Sequence, residues 1–135
     1  MSEKRFTPEE ANVLLPAIRV ELELLQQTKR KFEERFAALK RMRDQYQDRP
    51  VKEQGEDPFF ELECELEFLQ IEARSQLHSF QLKGVQLKDI DSGLIDFPAV
   101  LNGEEVLLCW RQGEERVSHY HGLYDGFVGR RPLEA

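Results

Sequence analysis

The sequence predicts an α+β protein, in which a long antiparallel helical hairpin with a coiled-coil-like seam precedes a small antiparallel β-sheet of about four strands. Three observations carry this prediction. Apolar residues recur at alternating three- and four-residue spacing through most of 11–46. A second helical stretch, after a loop containing Pro50 and Gly55, carries apolar residues on two faces. Past Gly84 the hydrophobic period changes to two, and glycine-containing turns separate short runs.

The first helix starts at Thr7-Pro8-Glu9-Glu10, where threonine caps, proline takes the first helical position and glutamate closes a capping box. Phe6 precedes the cap and is placed to staple onto Ala11. The seam then runs Ala11, Leu15, Ile18, Leu22, Leu25, Phe32, Phe36, Leu39 and Tyr46. Lys29 and Arg43 fall on it and are expected to snorkel, with Thr28 and Met42 beside them. Pro16 predicts a kink or a short separate first helix. The helix otherwise extends to about Asp48, roughly 60 Å if unbroken.

Arg49 to Asp57 reads as the hairpin loop, and Asp57-Pro58 opens a second helix that Gly84 stops. One stripe of this helix holds Leu62, Leu66, Leu69, Ala73 and Phe80; another holds Phe60, Cys64, Phe68, Ile71 and Leu82. It therefore needs two partners: the first helix for one stripe, and the C-terminal unit, the hairpin of another subunit or both for the other, so that a homo-oligomer is expected. The basic run from Lys29 to Arg43 faces the acidic run from Glu61 to Glu72 in an antiparallel hairpin, so both are expected to be flanks of one packed pair. His78 is expected to be packed and hydrogen-bonded. If Tyr46 lies opposite Phe60, Lys83 reaches only about Glu23, and the start of the first helix overhangs toward the C-terminal unit. The division expected is 1–83 for the hairpin and 84–135 for the β-rich unit, in one structural domain.

In that unit, Val85 to Asp89 alternates, Asp91-Ser92-Gly93 turns, and Leu94 to Phe97 forms a strand that Pro98 ends. Asn102-Gly103 is a hairpin turn before the strand Glu105 to Arg111, and Val117 to His121 follows. Asp125 to Pro132 reads as glycine-punctuated loop.

Composition bounds the function. The chain has 135 residues, 33% of them charged, and a formal net charge of -7. That charge disfavours nucleic acid and anionic membranes as partners. No apolar run approaches a membrane span or a signal-peptide core, and two dissimilar cysteines make no disulfide framework, so a cytoplasmic location is expected. There is no nucleophile elbow, phosphate-binding lysine motif or dinucleotide fingerprint, which leaves enzymatic activity open.

The densest set of reactive side chains is Cys109 with His119 and His121. Histidines two apart on a strand share a face, and with the right register Cys109 joins them as a candidate zinc or iron set. A two-residue Gly113-Glu114 turn would instead put Cys109 on the opposite face. The plainer reading is a buried cysteine and two ordinary strand histidines. Arg111, Arg130 and Arg131, near Gly126 and Gly129, are candidates for holding a small anionic ligand, or for pairing with carboxylates. Asp96, between apolar neighbours, is a candidate base or ligand, and otherwise caps a turn. Trp110 is a candidate stacking surface or a cover for the sheet.

The stretches Phe6-Thr7-Pro8-Glu9-Glu10-Ala11-Asn12, Gly93-Leu94-Ile95-Asp96-Phe97-Pro98-Ala99, Leu108-Cys109-Trp110-Arg111-Gln112-Gly113-Glu114 and Gly126-Phe127-Val128-Gly129-Arg130 together resemble the bacterial DUF2203 family, a domain of unknown function. The resemblance implies the helix-then-sheet layout and no assigned activity. It also implies that Cys109, Trp110, Arg111, His121 and Arg130 belong to the family's characteristic pattern, with Tyr120-His121 matching its aromatic–His pair and His119 outside it. The leading expectation for function is a non-catalytic scaffold that self-associates through its hairpin. The alternative is a metal- or small-anion-binding protein, open to being an enzyme, that uses the sheet. A third, disfavoured by charge, is a nucleic-acid-associated coiled coil using the Lys29 to Arg43 face.

Overall fold

The computed structural model describes residues 4–47 and 57–133, so most of the expected Arg49 to Asp57 loop lies outside the described residues. Two helices, α1 (Pro8–Tyr46) and α2 (Phe60–Leu82), precede five strands in an antiparallel sheet: β1 (Gln86–Asp89), β2 (Leu94–Leu101), β3 (Glu104–Arg111), β4 (His119–Gly122) and β5 (Arg131–Pro132). Their spatial order is their chain order. The fold is α+β as expected, with one more strand. Its source is the tail that read as loop, where Arg131 pairs with Tyr120 and Pro132 with His119. A two-residue strand is too short to show a period.

α1 begins as its capping box dictates: Thr7 Oγ1 accepts from the Glu10 amide at 3.0 Å, and Glu10 Oε1 from the Thr7 amide at 2.9 Å. Pro16 does not divide the helix. Its side chain is exposed, and Leu15 and Ile18 beside it are almost completely buried, so packing on the opposite face offsets the lost hydrogen bond. Thr28, buried, takes the seam position expected of Lys29 and returns its hydroxyl to the Leu24 carbonyl. Lys29 instead points to Asp91, at 2.7 Å. Phe36 is half exposed, although its ring stacks on Phe32.

The two helices pack antiparallel at the level expected. Tyr46 meets Phe59 edge to face at one end, and Lys83 meets Glu21 at 2.7 Å at the other. Arg35–Glu65 and Arg43–Glu63 bridge the basic and acidic runs. His78 is exposed, contrary to the packed role expected of it, because its turn of α2 faces solvent. The Phe60, Cys64, Phe68, Ile71 and Leu82 stripe is also bare: Phe60 is 65% and Phe68 64% exposed.

Burial alone would raise the Glu21 pKa, but hydrogen bonds from Lys83 and Ser79 outweigh it and hold the carboxyl below its ordinary 4.5. A depressed carboxyl stabilises the fold above its unfolded pKa and stops doing so as pH falls through the folded one. Glu21→Gln is therefore expected to cost about 1 kcal/mol at pH 7. That difference should shrink as pH falls below 4.5 and vanish once pH has passed through the lower folded pKa, in urea titrations across the range.

The overhanging half of α1 covers the sheet. Ala11, Leu15, Ile18, Leu22 and Leu25 form one core with Phe80 and with Ile95, Phe97, Ala99, Val106, Leu108 and Trp110 from the inner face of β2 and β3. Asn12 ties the helix to the β3–β4 connection, receiving the Val117 amide at 2.7 Å and donating to the Val117 carbonyl at 3.2 Å.

β2 passes straight through Pro98, which was expected to end it. Residues in antiparallel strands direct both backbone groups to the same side. The Pro98 carbonyl accepts from the Phe6 amide at 2.7 Å, on the side away from β3 and beyond the last β1 pair, Gln86 with Asp96. The missing proline N–H thus deprives no strand of a bond.

Candidate functional site

A tight turn and a long connection set the register of the central strands. Asn102 and Gly103, both at positive φ (51° and 81°), close the β2–β3 hairpin and place Asp96 opposite Cys109. The connection from Gln112 to Ser118 then sets His119 opposite Cys109 and His121 opposite Leu107. Paired residues share a face and the faces alternate. Asp96, Leu107, Cys109, His119 and His121 therefore all belong to the face away from the helices. The short Gly113-Glu114 turn that would have separated Cys109 from the histidines does not form.

Three of these side chains converge. One ligand atom each from Asp96, Cys109 and His121 lies within 4.8 Å of the other two, and all three residues are buried. Asp96 and His121 are each 3% exposed and Cys109 is 1%. His119 shares the face but not the cluster: its Nδ1 lies 3.0 Å from Ser118 Oγ, and its charge acts on Glu114. Asp96, read separately as a base or ligand, occupies the place His119 was expected to fill.

The hydrogen bonds define the protonation chemistry. His121 Nδ1 lies 2.8 Å from the Gly122 carbonyl, which can only accept, so Nδ1 carries a hydrogen. Nε2 is thereby turned to Asp96 Oδ2, at 3.2 Å. Burial raises the Asp96 pKa, opposed by the charge and hydrogen bond of His121, by Lys88, and by the Cys109 thiol. The Cys109 pKa is pushed up to about 11 by burial and the nearby Asp96 charge, against the pull of Arg130.

This order excludes a nucleophilic triad, which needs the base next to the thiol and the carboxylate behind the base. Here the carboxylate stands between, and the thiol is protonated at neutral pH. Labelling with a thiol reagent at neutral pH is expected to modify exposed Cys64 quickly, with Cys109 following only on unfolding. Fast modification of two thiols in the native protein would contradict this assignment.

Arg130 closes one side of the site. Its guanidinium forms a forked pair with Glu114, packs over the Phe127 ring at 4.4 Å from the centroid, and its charge acts on the Cys109 thiol. Burial works against the Glu114 charge, but Arg130 and the Arg111 amide hold its pKa low. Arg111 is exposed, and its guanidinium lies 5.6 Å from the Phe127 centroid. Arg131 goes elsewhere: with Arg116 and Glu104 it lines a wide cleft of about 860 Å³ across the sheet from the cluster. Trp110 is completely buried in the core, its indole N–H on the Glu114 carbonyl at 3.0 Å, and presents no surface to a ligand.

A cavity of about 290 Å³ lies over the cluster, with Lys88, Leu94, Leu107, Leu123 and Phe127 around it. Glu114 and Lys88 had no role assigned from sequence. Glu114 closes the stretch Leu108 to Glu114 that carries the family resemblance, a signal that could have singled it out.

No curated protein and no solved structure shows a significant match to the chain. The family profile described as "Uncharacterized conserved protein (DUF2203)" matches residues 4–133, which takes in both helices, all five strands and every side chain of the cluster, so the chain belongs to that family.

Proposed function

We propose that the protein binds one divalent metal ion through Asp96, Cys109 and His121. The convergence of a carboxylate, a thiol and an imidazole within 4.8 Å, buried beneath a cavity, carries this reading. Sulfur, nitrogen and oxygen together suit zinc, with ferrous iron second. The Nδ1 bond to the Gly122 carbonyl adds support, because it is the outer-shell contact that fixes a ligating imidazole with Nε2 toward the metal. Arg130 is placed to donate to the bound thiolate. Loading displaces the thiol proton, so uptake is expected to release acid.

The test is elemental analysis of untagged protein after zinc loading and dialysis. One equivalent is expected, falling sharply in Cys109→Ser and His121→Ala. Absence of stoichiometric metal, or equal retention in both variants, would overturn the reading.

A second reading, scaffolding by self-association, rests on the bare α2 stripe. Antiparallel pairing of two α2 helices would bury the exposed Phe60, Phe68 and Ile71. It would also set Glu61 and Glu67, near the start of α2, toward Arg74 of a second copy. Light scattering is expected to show a dimer that Phe68→Glu dissociates; a strict monomer counts against it. We place the protein in the cytoplasm, which would keep its two unbridged cysteines reduced. Nucleic acid is not a proposed partner, since Arg35 and Arg43 on the basic face pair with α2 carboxylates.

A further inference from the structure

On the reading that Asp96, Cys109 and His121 hold a metal, we infer that the site takes a short-chain monocarboxylate, with its carboxylate on the metal and its apolar tail in the cavity above. Three protein ligands leave a tetrahedral ion one open position. That position opens into the cavity of about 290 Å³, small for a ligand pocket. Leu94, Leu107, Leu123 and Phe127 make its walls apolar.

Charge selects the head group. A divalent ion is neutralised by the Cys109 thiolate and the Asp96 carboxylate, and Arg130 is already matched by Glu114. Lys88 remains: it lines the cavity, its charge acts on Asp96, and among the described residues no carboxylate pairs with its ammonium. Lys88 is the one surplus cation among the described residues that line this apolar pocket, and a monoanion with a hydrocarbon tail matches it better than phosphate, whose second charge would have to reach Arg111, outside the lining beside Phe127.

Cobalt-loaded protein tests this, because a cobalt–thiolate absorption band reports the metal and its visible spectrum reports the fourth ligand. Titration with acetate, propionate and butyrate is expected to shift the visible spectrum, with affinity rising about fourfold per methylene. Lys88→Ala should weaken all three acids, and Phe127→Ala should flatten the dependence on chain length. A cobalt–thiolate band that no carboxylate perturbs, or that phosphate perturbs as readily as butyrate, overturns the inference and leaves the metal site standing. Absence of the band overturns both.

Discussion

Replacing Asp96 and His121 together, as Asp96→Val with His121→Leu, is expected to give a metal-free fold as stable as the parent or more stable. Asp96→Val alone should cost about 3–5 kcal/mol. The two side chains are each 3% exposed and bond to each other, so removing one strands the other in a medium of low polarity. Removing both abolishes that penalty, and the branched apolar replacements suit strand positions beside Leu107. Urea unfolding of apo proteins measures both effects. A double variant as unstable as the single one would make the pair a structural element. The expected result makes it a stability cost retained for binding, and the double variant should take up no zinc.

Trp110→Ala is expected to lose about 3–5 kcal/mol, because a completely buried indole leaves a large void and the Glu114 carbonyl loses its donor. Phe68→Ala removes a ring that is 64% exposed and should change the unfolding free energy of the monomer by less than about 0.5 kcal/mol. Trp110→Phe keeps most of the volume and should keep full zinc stoichiometry. Loss of zinc in a folded Trp110→Phe protein would return this residue to the binding site.

The helical half was legible because its signals are local. Thr7 to Glu10 forms the capping box that its residue types announce, and the apolar spacing from Ala11 to Leu25 reappears as a buried stripe. Charge order also matched the basic run of α1 to the acidic run of α2, which Arg35–Glu65 and Arg43–Glu63 bridge. Lys29 and Thr28 exchanged expected positions because a straight helix drifts from a strict heptad over several turns. Pro98 was misjudged because proline punctuates a strand only where its N–H would meet a partner, and that depends on where β1 stops.

The cluster was half legible for a different reason. Cys109 and His121 stood out as reactive residue types, but their shared face depends on the residue count of the connection between β3 and β4. Asp96 lies on a third strand and joins through its pairing with Cys109, which the Asn102-Gly103 turn fixes. Carbonyl placement at Gly122, which orients the imidazole, has no sequence signal at all.

The shared core of α1 and the sheet has a consequence for biosynthesis. The apolar stripe from Ala11 to Leu25 leaves the ribosome well before Leu108 and Trp110, which cover it. The core cannot close until β3 is available, so the nascent protein carries its stickiest surface until that strand has emerged. A nonsense mutation anywhere before β3 would release a fragment with that surface permanently open, a substrate for chaperones and proteases rather than a smaller working domain.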